Sequence, residues 1–143
     1  EQQVTLMREF ADSRTAQPFC AEILQADLPP IWKASEPLPV RVIVKNNGGA
    51  LWRARIEDRP QSVGEVRLGV KAWRDAASGA VVAPPNLETR ARLPHDVAPG
   101  ENAVILAAIP APPTPGTYRI ECDFVSEQVQ WFAQPFFISV TLQ

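Results

Sequence analysis

The chain is poor in the side chains that do chemistry. Its 143 residues include one histidine and two cysteines. His95 sits in a Pro-flanked turn with no obvious nucleophile beside it, which suits a solvated turn residue better than a general base. Two cysteines and a lone histidine have no metal-ligand spacing. No G-x-S-x-G, H-E-x-x-H, phosphate-loop or dinucleotide glycine pattern occurs. The 16 carboxylates are scattered over turns and outward strand positions, so no pair marks itself as the acid and base of a glycosidase. The expectation is a protein that is not an enzyme and carries no metal or other cofactor.

Other absences narrow the partners. A formal charge of −2 supplies no global field favouring nucleic acid or an anionic membrane surface. No apolar run approaches the ~18 residues of a membrane span, so no membrane insertion is expected. Residues 1–5 are polar and start without Met, so no signal peptide is readable there. The chain reads as a mature form or as a piece of something larger, and its compartment is left open. Cys20 and Cys122 lie far apart in sequence. A bridge between them would tie the first strand to a late one and imply an oxidising compartment; the other reading, two separate core thiols, treats each as a small buried hydrophobe.

Proline is what the chain has instead: 15 residues, against 7 glycines. Each interior proline costs a helix ~3 kcal/mol, so this composition argues for strands, edges and turns. The length suits one domain with a core of its own. Residues 1–17 read as an N-terminal extension or linker, in which Val4, Leu6, Met7 and Phe10 have partial helical spacing. From residue 18 to 143 strands dominate.

The clearest strand is 117–125, where Tyr118, Ile120, Cys122 and Phe124 alternate with Arg119, Glu121 and Asp123. The same period of two runs through 39–45, 65–74, 87–93 and Phe136–Leu142, and strands are also expected at 19–27 and Asn102–Ile109, with shorter ones at 51–55 and 80–83. Residues 31–36 read as a loop carrying Trp32, and Asn102–Ile109, apolar on both faces, reads as central or covered. Turn signals at 46–49, 75–79, 96–100 and 110–116 separate these runs. The fold class that follows is all-β: a two-sheet antiparallel, immunoglobulin-like sandwich of seven to nine strands. Tyr118, just after Pro115-Gly116, is placed either for a tyrosine-corner hydrogen bond or for plain core packing.

The candidate binding residues are aromatic. There are four tryptophans, and a Trp offers a flat apolar face with one N–H donor. Sugars have an apolar C–H face and a hydroxyl rim, so Trp flanked by charged hydrogen-bonding groups is a sound glycan platform. By strict alternation Trp73 faces away from Val66, Leu68, Val70 and Ala72. If its strand pairs with 117–125, it shares an outer face with Arg119, Glu121 and Asp123. A bulge at Lys71–Ala72 would instead turn Trp73 inward. Trp32 is a loop candidate, whereas Trp52 and Trp131 suit core or sheet-edge packing. Eight basic residues from Arg41 to Arg74 suit a solvated sheet face with cross-strand pairs better than an anion-binding patch.

The segments VRVIVKNNGGALW, VRLGVKAW, LPHDVAPGE and PGTYRIECDFVSEQVQWF carry a resemblance. Together they resemble a bacterial immunoglobulin-like accessory domain found beside glycosyltransferases and other glycan-assembly proteins. The shared pattern is an Asn-Gly turn before Trp, a Leu-Gly strand, a Pro-Gly-Glu turn, and a Pro-Gly-x-Tyr strand ending in Trp-Phe. The chain departs from it at Glu127-Gln128, where the pattern has Glu-Gly, and by an extra residue in LGVKAW. The resemblance implies a non-catalytic module that holds a glycan, with no ligand residues to carry over. The expected function is therefore carbohydrate binding through Trp73, Arg119, Glu121, Asp123 and Trp32. The alternative is a protein-interaction or spacer domain positioning a neighbouring domain, so the expected partner is a glycan or another protein domain.

Overall fold

Two antiparallel-dominated sheets enclose a single apolar core in the computed structural model, which describes residues 11–82 and 89–143. The strands are β1 (Ala21–Asp27), β2 (Ile31–Trp32), β3 (Leu38–Asn46), β4 (Val66–Asp75), β5 (Thr89–Arg92), β6 (Asn102–Ile109), β7 (Gly116–Ser126), β8 (Gln130–Trp131) and β9 (Phe136–Leu142). The smaller sheet has the order β1-β3-β6 and the larger β2-β9-β7-β4-β5, with β8 paired to β7. This is the all-β sandwich that the alternation predicts.

Alternation explains which face of each strand is buried. In β3, Leu38, Val40, Val42 and Val44 are buried, and in β6, Ala103, Ile105 and Ile109 meet them. The larger sheet contributes Val66, Leu68 and Val70 from β4, Tyr118, Ile120, Cys122 and Phe124 from β7, and Ile138, Val140 and Leu142 from β9. Each fully buried aliphatic or Phe side chain contributes roughly 1.5–3 kcal/mol relative to exposure. Tyr118 makes the corner: its hydroxyl donates to the Thr114 carbonyl at 2.6 Å, while its ring meets Trp73 edge-on at 5.6 Å.

Several sequence expectations are corrected. Residues 31–32 are not loop but a two-residue strand, pairing parallel with β9, so the larger sheet is not wholly antiparallel. Residues 51–53 form isolated bridges rather than a strand, with Trp52 and Val97 exchanging both backbone hydrogen bonds at 2.9 Å. Val81 bridges Arg74, and β5 covers the described part of the run expected at 87–93. Most consequentially, Asn102–Ile109 is not central. It is an outer strand of the smaller sheet, and its outward side chains Val104 and Leu106 are 41% and 73% exposed.

The described part of the expected extension is built into the fold. Asp12 and Ser13 are buried, and the Ser13 hydroxyl donates to the Gly64 carbonyl at 2.7 Å. Gly64 has φ +92°, and a Cβ there would lie 2.6 Å from the Arg14 Cα, so glycine is required on both counts. The helical spacing of Val4, Leu6, Met7 and Phe10 lies outside the described residues.

Candidate functional site

The register of β4 decides the site. Val70 faces Cys122 and Ala72 faces Glu121, so Lys71 is an extra residue on β4. A one-residue slip reverses the direction of every later side chain. Trp73 therefore lies opposite Ile120 and is 1% exposed, packed in the core against Tyr118. The outward placement expected for Trp73 is corrected by this bulge, and with it the aromatic platform is lost. The extra residue in LGVKAW is the sequence signal of the slip.

Asp123 also has a different role from the one expected. It points to the outer face but is buried beneath the segment that follows β8. Its carboxylate accepts from the backbone N–H of Ala133 at 3.0 Å and of Gln134 at 3.2 Å. Burial raises its pKa above the ordinary value, outweighing those hydrogen bonds and the nearby Lys71 charge, which lower it. Asp123 is thus a clamp holding 127–134 over the sheet.

Trp131 is the aromatic residue that this clamp presents. Its ring lies against Gly69, where a Cβ would sit 2.8 Å from ring carbon Cζ3. A glycine in the middle of a strand marks a close approach of this kind, and Gly69 was the available signal for Trp131. Lys71 Nζ and Arg90 Cζ each stand 4.7 Å from the ring centroid, a double cation–π arrangement. Arg67 and Arg90 both reach Glu127, and Arg67 and Arg92 both reach the buried Glu65. The outer face of β4 and β5 is consequently a layer of paired charges.

Arg119 and Glu121 do share an outer face. Glu121 is paired with Arg74 at 3.0 Å, and the Arg119 guanidinium lies 4.3 Å over the Phe137 ring. Trp32 sits two strands away on β2, partly buried, and its indole N–H has no hydrogen-bond partner. The structure therefore brings together Arg119 and Glu121, adds Arg74 and Phe137 beside them, keeps Asp123 on that face but covered by the 127–134 segment, and leaves Trp73 and Trp32 elsewhere. The basic residues of the first half are dispersed: Arg41 pairs with Asp27, Arg53 with Asp12 and Asp96, and Arg74 with Glu121.

The smaller sheet presents the opposite surface. Ile43 faces Val104, and Arg41 faces Leu106, across β3 and β6. With Leu24 at 45% exposure on β1, Ile43, Val104 and Leu106 put an aliphatic set on the outer face, with Arg41 beside Leu106, that the described segments do not cover. At one end lies a groove of about 470 Å³, lined by Leu28, Pro29, Pro39 and Leu106 beside the Asp27–Arg41 ion pair.

The reactive groups are disposed as structural ones. Cys20 and Cys122 are unbridged, and burial together with the Glu121 and Asp123 charges pushes the Cys122 thiol up to about 12. A thiol held there supplies no thiolate nucleophile near neutral pH. His95 is exposed, its Nδ1 2.7 Å from the Asp96 carbonyl oxygen. Among the described residues no group of three His, Cys, Asp or Glu side chains could hold a metal ion.

No family model and no curated protein matches the sequence. Among solved structures, the chain is similar to the CARDB domain of a Pyrococcus furiosus protein, solved in complex with di-metal ions. That likeness has a TM-score of 0.49 at 16% identity over 90% of this chain and 92% of the other. It is also similar to AvmM, which catalyses macrocyclization in alchivemycin A biosynthesis, with a TM-score of 0.44 at 9% identity over 90% of each chain. At these scores neither neighbour assigns an activity, a metal or a partner to this protein.

Proposed function

We propose that this protein is a non-catalytic interaction domain that binds another protein through the outer face of the β1-β3-β6 sheet. One observation carries the reading: Leu106 is 73% exposed on a sheet face where Leu24 and Val104 are also bare. Isolated exposed aliphatics are ordinary, but a contiguous set rimmed by charge marks contact surfaces. Here the rim is the Asp27–Arg41 pair and Glu22 and Lys45 at the far end of the same strands. The exposed His95 and the high-pKa Cys122 thiol fit a domain without catalytic machinery.

Glycan binding has less behind it. Trp73 is in the core, and the Trp131 ring already has two cations over it and Gly69 against its edge. Little flat aromatic surface is left for a sugar to stack on.

A photo-reactive phenylalanine analogue at position 106 tests the reading in cells that make the protein. A discrete protein adduct should form at 106 and not with the same analogue at the exposed Arg119 on the other sheet. Adducts at both positions, or at neither, would overturn it.

A further inference from the structure

Resting on the reading that this sheet makes protein contacts, we infer that a second copy of the chain joins it edge to edge through β6, the strand that carries Val104 and Leu106. The two outer strands of the smaller sheet differ. β1 carries Glu22 and Asp27 and has a register break between Ile23 and Gln25. Charges and bulges of this kind blunt a sheet edge against pairing. β6 has neither device. Asn102–Ile109 contains no ionisable residue and runs in unbroken register with β3 over eight pairs. Among the described residues its other edge pairs with nothing.

The sequence of β6 is complementary to itself. Consider two copies antiparallel about a two-fold axis at Ile105, which keeps outward side chains outward in both. Val104 then lies opposite Leu106 of the second copy, and Leu106 opposite its Val104. On the inner side Ile105 faces Ile105, and Ala103 faces Ala107. Every position of the central strand gains an aliphatic neighbour, and no charge meets a like charge. The two smaller sheets become one six-stranded sheet whose outer face carries a continuous aliphatic stripe. β5 lies beside β6 in the other layer, and its Arg90 and Arg92 bring their own partners, Glu127 and Glu65. A shifted register that brought the Glu101 or Pro110 flank to the axis would lose these aliphatic pairs, so this register is the one proposed.

Sedimentation equilibrium of the 143-residue chain tests the inference. The wild type should reach twice the mass of one chain as its concentration is raised to about 1 mM, a dissociation constant worth roughly 4 kcal/mol or better. Leu106→Glu should raise the dissociation constant about tenfold, because it removes the two cross-strand Val104–Leu106 pairs, one on each side of the axis. Phe137→Glu, an exposed change on the other sheet, should leave the dimer intact. Equal far-ultraviolet spectra for all three proteins would exclude misfolding as the cause. A wild type that stays monomeric, or a dimer indifferent to Leu106→Glu, would overturn self-pairing. The mass of the photo-adduct at 106 separates the two readings: twice the chain supports self-pairing, and a different partner's mass removes self-pairing but leaves the interaction domain standing.

Discussion

The two sheets of this sandwich bury equivalent inner faces but treat their outer faces in opposite ways. The larger sheet covers itself. Asp123 pins 127–134 across it, Trp131 fills the space above Gly69, and arginines pair with Glu65, Glu121 and Glu127. The smaller sheet leaves Leu24, Val104 and Leu106 in solvent. A surface that is finished with internal pairs has little left to offer a partner, whereas a bare aliphatic face gains free energy whenever something dries it. The proposed docking on the smaller sheet rests on this contrast, although the larger sheet holds more aromatic and charged residues.

The largest expected effect separates core from face. Trp73→Ala should destabilise the fold by about 3–5 kcal/mol, because it removes a large side chain packed in the core. Leu106→Ala, measured by the same denaturant unfolding in dilute solution, should change stability by about 0.5 kcal/mol or less. Similar losses for both would mean that Leu106 is packed as a core residue and that its face is not bare.

Next in size is the clamp. Asp123→Ala should cost about 1–3 kcal/mol, since two backbone donors lose their buried acceptor. Its pH signature is distinctive. A carboxyl whose folded pKa is raised contributes stability that is fully present below its unfolded value and lost as pH rises through the folded value. Asp123→Asn removes that contribution, so the variant should lose stability more steeply on acidification than the wild type. Asp12 is the opposite case. Burial would raise it, but hydrogen bonds from Arg14 and the charges of Arg14 and Arg53 outweigh burial and hold it below the ordinary value. Its contribution is present above the unfolded value and lost as pH falls, so Asp12→Asn should flatten the acid decline. Denaturant midpoints collected across the acid range read both signs.

A smaller effect probes the cover itself. Gly69→Ala should cost about 1 kcal/mol, because the new methyl group displaces the Trp131 ring. Removing the ring first should abolish that cost, so a double-mutant cycle with Trp131→Ala should show a coupling of similar size. Additive losses would mean that the ring does not rest on Gly69. The smallest expected change is a gain. Gln128 adopts φ 60°, in the left-handed region that favours glycine. Gln128→Gly should relieve left-handed strain and stabilise the loop by up to about 1 kcal/mol, readable as a rise in the thermal midpoint.

Much of the fold was legible because hydrophobic period maps directly onto sheet faces. β3, β7 and β9 fall where alternation puts them, and Tyr118 makes its corner from its place after Pro115-Gly116. The site was far less legible. Trp73 depended on a bulge, and strict alternation on the wrong side of a single extra residue points it outward. Asp123 read as an exposed carboxylate because nothing in β7 announces a loop folding back over it. Asn102–Ile109, apolar on both faces, read as central or covered, when in fact it is an edge strand with one face bare.

Chain order by itself determined which residues can face inward together, since that requires only the two-residue repeat of an extended backbone and the cost of wetting aliphatic side chains. It also determined where the chain must turn, through proline, glycine and asparagine. Tertiary structure alone decided the register of β4 against β7, which strand became an edge, and which outer face received a lid. Those outcomes depend on contacts between segments far apart in sequence, such as Asp123 with Ala133 and Gln134, Gly69 with Trp131, and Gly64 with Arg14, which Gly69 and the extra residue in LGVKAW flag but do not fix.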